Sequence, residues 1–144
     1  MRTPTAATRR AARETAFRLV YQSDVMAEPV DTAWRAVRDQ GALDEDQTAL
    51  VDDLVRVLHD RAAEVDDRIR AAARNWALDR IAATDRGVLR IAIAELIGRP
   101  GTPARVILDE AIDIARRYGT DASGAFVNGV LDPVARELRP GEVA

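Results

Sequence analysis

The sequence contains no cysteine and no lysine. The first absence excludes disulfides, thiolate nucleophiles and cysteine-ligated zinc. The second leaves all 21 basic residues as arginine, a bias that codon composition alone can produce. Aromatic residues make up only 4%, so Leu, Ile, Val and Ala must fill the interior. His59 is the only histidine, which excludes a two-histidine metal site, and it reads as a surface or boundary side chain. No apolar run is long enough to span a bilayer, and the arginine-bearing start lacks a signal-peptide apolar segment. A cytoplasmic protein is expected. Glycines are scattered at turns, so no phosphate-cradling loop is present. The Asp52-Asp53 and Asp66-Asp67 pairs lack a further carboxylate one helical turn on, and adjacent helical residues point about 100° apart. They read as solvated helix faces. No catalytic residue, metal or cofactor is expected, and the chain does not read as an enzyme.

What is present is a globular balance: 144 residues, 47% hydrophobic and 31% charged. That length suits one domain over residues 1–144 with a modest core. The net charge of −3 is unevenly spread. Residues 1–20 carry Arg2, Arg9, Arg10, Arg13 and Arg18 against Glu14 alone, whereas Asp39 to Asp67 holds ten acids against Arg56 and Arg61. A basic end points to nucleic acid, and an acidic stretch to a solvated face or a basic protein partner.

Apolar residues recur at helical spacing nearly throughout. Ala12, Ala16, Leu19 and Val20 share one face of a first helix. Ala33, Trp34 and Val37 follow in a short helix ended by Gly41, and Asp44 or Asp46 caps a helix striped by Leu50, Leu54, Val57 and Leu58. Val65, Ile69, Ala72, Ala73 and Trp76 continue helically after a bend near Arg61. Leu89, Ala92, Ile93 and Leu96 mark another helix. Thr102 and Pro103 open the next as cap and first residue, and Gly119 closes it. The last helix, capped by Asp121 or Ser123, carries Val127, Val130, Leu131 and Val134. The expectation is an all-α fold of about seven helices.

The stretch TRRAARETAFRLVYQ, residues 8–22, places three arginines at a helix N-terminus, where the helix dipole disfavours cations by up to about 1 kcal/mol each. Arg10, Arg13, Phe17 and Tyr21 fall along one border of the apolar stripe, and Arg9 lies nearer the core side. Guanidinium groups grip phosphate and stack on bases, and aromatic faces take unstacked bases. Equally, Phe17 packs inward and the arginines form a solvated end. Replacing Arg10 and Arg13 with alanine is expected to spare the fold.

Further along stand DRGVLRIAIAEL (residues 85–96), DEAIDIARRYGTDASG (109–124) and AFVNGVLD (125–132). With Arg9, Arg10, Arg13, Glu14 and Ala16, these segments resemble the NusB family of bacterial transcription antitermination factors, the middle of the chain matching weakly. The resemblance implies two small packed helical bundles. It also implies binding to boxA RNA of ribosomal RNA leaders together with a small-subunit ribosomal protein acting as NusE, in an RNA polymerase antitermination complex. The RNA-binding residues it implies are Arg9, Arg10, Arg13, Tyr21, Asp85, Arg86 and Phe126. Some family members form a homodimer through the RNA face. The chain departs from the pattern at Ala11, Ala122 and Ala125, which thins the basic motif.

Within these signatures, Glu95 and Arg90 are expected to pair at helix junctions. Gly129 is expected to admit a neighbouring helix, Asn128 to satisfy buried backbone groups, and Pro133 to bend or end the last helix. Two alternatives remain. One is the NusB-like domain of an RNA cytosine methyltransferase, which the absence of a cofactor-binding segment before Ala144 disfavours. The other is a helical interaction module without RNA binding.

Overall fold

A computed structural model describes residues 6–143, with side chains from Arg9 onward. Among them are seven α-helices and no strand: α1 (Ala6–Met26), α2 (Val30–Val37), α3 (Glu45–Asp60), α4 (Ala62–Ala72), α5 (Ala83–Gly98), α6 (Ala104–Tyr118) and α7 (Ser123–Leu138). Short 3-10 turns follow α2 and precede α5. The all-α expectation holds. Helices α1–α3 pack as one small bundle and α4–α7 as another, and α5 lies against helices of both. From Gly87 to Leu96 every residue of α5 is buried except Arg90. A helix apolar on nearly all sides is one enclosed on nearly all sides.

Local chemistry sets several boundaries. Gly41, at φ 77, turns the chain after α2. Asp44 opens α3 with a capping box: its carboxylate accepts from the Gln47 N–H at 2.8 Å, and the Gln47 side chain accepts from the Asp44 N–H at 2.9 Å. The bend near Arg61 is the α3–α4 junction.

The start of α6 differs from expectation. Pro103 occupies the cap position, and Thr102 does not cap. Glu142 instead reaches back and accepts from the Ala104 N–H at 3.0 Å. That backbone bond, then Arg139, holds the Glu142 carboxyl below its ordinary range. The buried Arg139 guanidinium donates to the carbonyls of Leu96, Arg99 and Thr102 at 3.0, 2.9 and 3.0 Å, so the C-terminal segment ties down the α5–α6 turn. Neither expected side-chain cap appears at α7. Ser123 is its first residue, and its hydroxyl accepts from the Thr120 N–H at 2.9 Å.

Further expectations are corrected. Helix α4 ends at Ala72, so Trp76 is not on a buried helical face; it is 54% exposed in the connection to α5. Val37 is likewise exposed. In α7, Asn128 and Gly129 both face solvent, and nothing lies within 4 Å of where a Gly129 Cβ would sit. Close helix approach occurs elsewhere: a Cβ on Gly98 would stand 2.9 Å from Val57 Cγ2, and one on Gly87 would stand 3.3 Å from the Phe17 ring. Finally, α7 continues past Pro133 to Leu138. Pro133 and Gly129, whose carbonyl it would otherwise bond, are both exposed, so water can satisfy the freed acceptor.

A prediction arises from that geometry. Gly129→Ala adds a methyl group into open space in a helix interior, so it is expected to raise stability by up to about 1 kcal/mol. Urea denaturation measures this directly, and a lowered midpoint would contradict it.

Candidate nucleic-acid interface

The N-terminal turns of α1 divide their arginines between surface and core. Arg9 is exposed and has no carboxylate partner among the described residues. Arg10 is half-exposed, its Nε and Nη2 donating to Glu110 of α6 at 3.0 and 3.2 Å. The hydrogen bonds and charge of Glu110 raise the affinity of Arg10 for its proton.

Arg13 is the correction. It is 3% exposed and fork-bonded to Glu95 of α5, itself 2% exposed, at 2.8 and 2.6 Å. Burial alone would weaken the proton's hold on Arg13, but the hydrogen bonds and charge of Glu95 outweigh it, and the net shift is upward. Arg13 is therefore a charged strut between α1 and α5 and lies off the solvent face. Removing it is expected to destabilise the fold. The expected pairing of Glu95 is met by Arg13, and that of Arg90 by Asp66 at 3.0 Å and Asp24 at 3.4 Å.

Below this turn, the α1–α6 seam is knit by polar and aromatic groups. Glu14 pairs with Arg117 and accepts from the Tyr118 hydroxyl at 3.2 Å, while Arg18 donates to that hydroxyl at 3.0 Å. Phe17 is buried, with its ring centroid 5.0 Å from that of Tyr118 and 6.2 Å from that of Tyr21. Of the two readings open for Phe17, the inward one is correct. Tyr21 stays accessible, at 39% exposure.

Arg86 also proves structural. It donates to Asp24 at 2.9 and 2.6 Å and to the carbonyls of Leu78 and Ile81 at 3.0 and 2.6 Å, clamping the α4–α5 connection onto α1. Among the described residues nothing donates to its neighbour Asp85, whose Oδ1 is shut off from solvent. Phe126, half-buried at the start of α7, lines a cleft with Asp85, Trp76 and Arg80. The fold thus brings Asp85 and Phe126 together and leaves Arg9, Arg10 and Tyr21 on α1. Trp76 and Arg80 reach this cleft because α4 ends at Ala72, short of where helical spacing alone would carry it. The segment RNWALDR, with Asn75 amid arginines and tryptophan, held the compositional signal.

The acidic pairs are accounted for by their partners. Asp52 accepts from Trp34 Nε1 at 2.7 Å and from Arg38 at 2.8 and 2.7 Å, and Arg38 above all holds its carboxyl below the ordinary value. His59 is exposed, 3.6 Å from Asp31. Among the described residues, no three acidic, histidine or cysteine side chains are grouped to hold a metal. No described helix is long and apolar enough to cross a membrane.

The sequence pattern described as the NusB family matches residues 10–136. The chain belongs to the NusB family. A transcription antitermination protein NusB from Anaeromyxobacter dehalogenans is 43% identical over 133 residues, covering 90% of this chain and 91% of that protein. The NusB structure of T. maritima superposes with a TM-score of 0.86 at 35% identity, covering 99% and 97% of the two chains. A crystal structure of the antitermination factors NusB and NusE in complex with dsRNA gives a TM-score of 0.79 at 26% identity, covering 91% and 98%. The NusB signatures fall on both the core and the surface of this chain. Glu95 belongs to the buried strut, and Phe126 borders the cleft.

Proposed function

We propose that the chain is a non-catalytic transcription antitermination factor that binds boxA RNA of ribosomal RNA leaders jointly with a small-subunit ribosomal protein acting as NusE. The observation that carries this reading is the similarity, over 91% of the chain, to the factor solved with NusE and dsRNA. The surface supports it: Arg9 and the free donors of Arg10 take phosphates, Tyr21 and Phe126 offer ring faces, and Asp85 supplies an acceptor. Arg13 and Arg86 act indirectly, holding α1 and the α4–α5 connection in place. The whole chain, 1–144, serves as one RNA-binding unit. The bound complex joins RNA polymerase, and a homodimer formed through the same face would compete with RNA.

Exposed Asp39, Asp44, Glu45 and Asp46 form an acidic face suited to a basic ribosomal protein. The partner is expected to tighten RNA binding, because it adds RNA contacts and steers encounter. Isothermal titration of boxA RNA into this protein, alone and with the ribosomal protein, tests both steps. Tighter binding by the pair supports the reading; equal affinities would exclude cooperation, and no RNA binding in either case would overturn the function.

A further inference from the structure

Most arginines at the start of α1 are opposed by acids of the same chain. Arg10 has the Nε–Nη2 edge of its fork on Glu110 of α6, which leaves only its end-on donors to an incoming group. Asp113 and Glu14 add their charges to that of Glu110 around the same guanidinium. Glu14 in turn pairs with Arg117 and stands 3.8 Å from Arg18. Arg9 alone among Arg9, Arg10, Arg13 and Arg18 has no carboxylate partner among the described residues.

Glu110 has the chemistry of a stand-in. A carboxylate presents two oxygens to a guanidinium edge just as a phosphate does, so the two anions compete for one fork. The Glu110 side chain is 10% exposed, against 40% for that of Arg10. Among the described residues no other group donates to it. Releasing Arg10 would leave a mostly buried carboxylate without a donor, and that cost draws the guanidinium back. A phosphate that takes the end-on donors instead meets a cation whose charge Glu110 already balances.

We propose that the Arg10–Glu110 contact is autoinhibitory: Glu110 is an internal phosphate surrogate that holds the RNA affinity of the chain below what its arginines can deliver. Phosphate contact at Arg10 then gains little, because it trades one anion for another, and retention of RNA depends on the ring faces as well. The proposal rests on the RNA-binding reading. It gives an acidic residue of α6 the role of limiting affinity rather than of making a contact.

The sign of the effect separates this role from a supporting one. Glu110→Gln removes the charge but keeps the size of the side chain and an acceptor for Arg10, so the fold is retained, which circular dichroism melting checks. The variant is expected to bind boxA RNA, and a scrambled RNA of equal length, each about tenfold more tightly than the wild type does. In an Arg10→Ala background the same replacement should change affinity by less than about twofold, because the restraint acts through Arg10. Weaker or unchanged binding by folded Glu110→Gln would overturn the proposal, and weaker binding would make Glu110 a support for Arg10. An equal gain with and without Arg10 would overturn it in favour of a general loss of negative charge from the surface. Failure of every RNA to bind both the wild type and the variant would remove the parent reading as well.

Discussion

Arg13→Ala is expected to destabilise the protein by about 3–5 kcal/mol, a large share of what holds a domain of this size together. The substitution removes the partner of Glu95 and leaves a carboxylate, 2% exposed, between α1 and α5. An uncompensated buried charge costs far more than the net worth of the pair, because the desolvation penalty persists after the attraction is gone. The same reasoning makes a second expectation. Combining Arg13→Met with Glu95→Leu should return stability close to the wild-type value, since similar-sized apolar groups fill the seam without a charge to desolvate. Urea denaturation of Arg13→Met, Glu95→Leu and the double variant forms a closed cycle, with Arg13→Ala measured beside it. A mild effect of Arg13→Ala would mean that Glu95 finds water or another donor, and the strut would then be dispensable.

The second large effect concerns RNA. Replacing Arg9 and Arg10 together with alanine is expected to weaken boxA binding about a hundredfold, roughly tenfold for each charge-assisted phosphate contact. The log–log salt slope should fall by about 1.4, from roughly 0.7 per phosphate neutralised on a single strand. Arg9→Ala alone is the cleaner half of the experiment, because Arg9 holds no carboxylate in place. Arg10 also serves Glu110, so the double variant must be assayed where circular dichroism shows it folded. Unchanged affinity and slope in a folded double variant would place the RNA elsewhere on the surface.

The arginine-rich turn shows why the site was only partly legible. Helical spacing put Arg10, Arg13, Phe17 and Tyr21 along one border of the apolar stripe, and that border is real. Whether a border residue faces water or a neighbouring helix depends on what packs there. Glu95, 82 residues away in sequence, turns Arg13 inward. Glu110, 100 residues away, occupies half of the Arg10 fork. Phe17 goes inward because Gly87 leaves room for its ring and Tyr118 covers it. The glycine and asparagine of the FVNG segment failed in the other direction. A helical glycine signals close approach only if a neighbour is present, and at Gly129 none is.

The sequence by itself determined the helices, because apolar periodicity, the Asp44 capping box and the turn at Gly41 are local or near-local properties of the chain. It also determined the family, through signatures at fixed spacing, and it foresaw that Arg90 and Glu95 must be neutralised on so apolar a helix. Tertiary structure alone decided which guanidinium groups are buried struts and which remain exposed. It also decided that Arg86 clamps a connection and that Trp76 and Arg80 share a cleft with Phe126 and Asp85. The physical reason is the reach of the interactions. Helix formation is written within a few residues, whereas the pairing of a charge depends on which distant carboxylate the packed helices bring within hydrogen-bond distance.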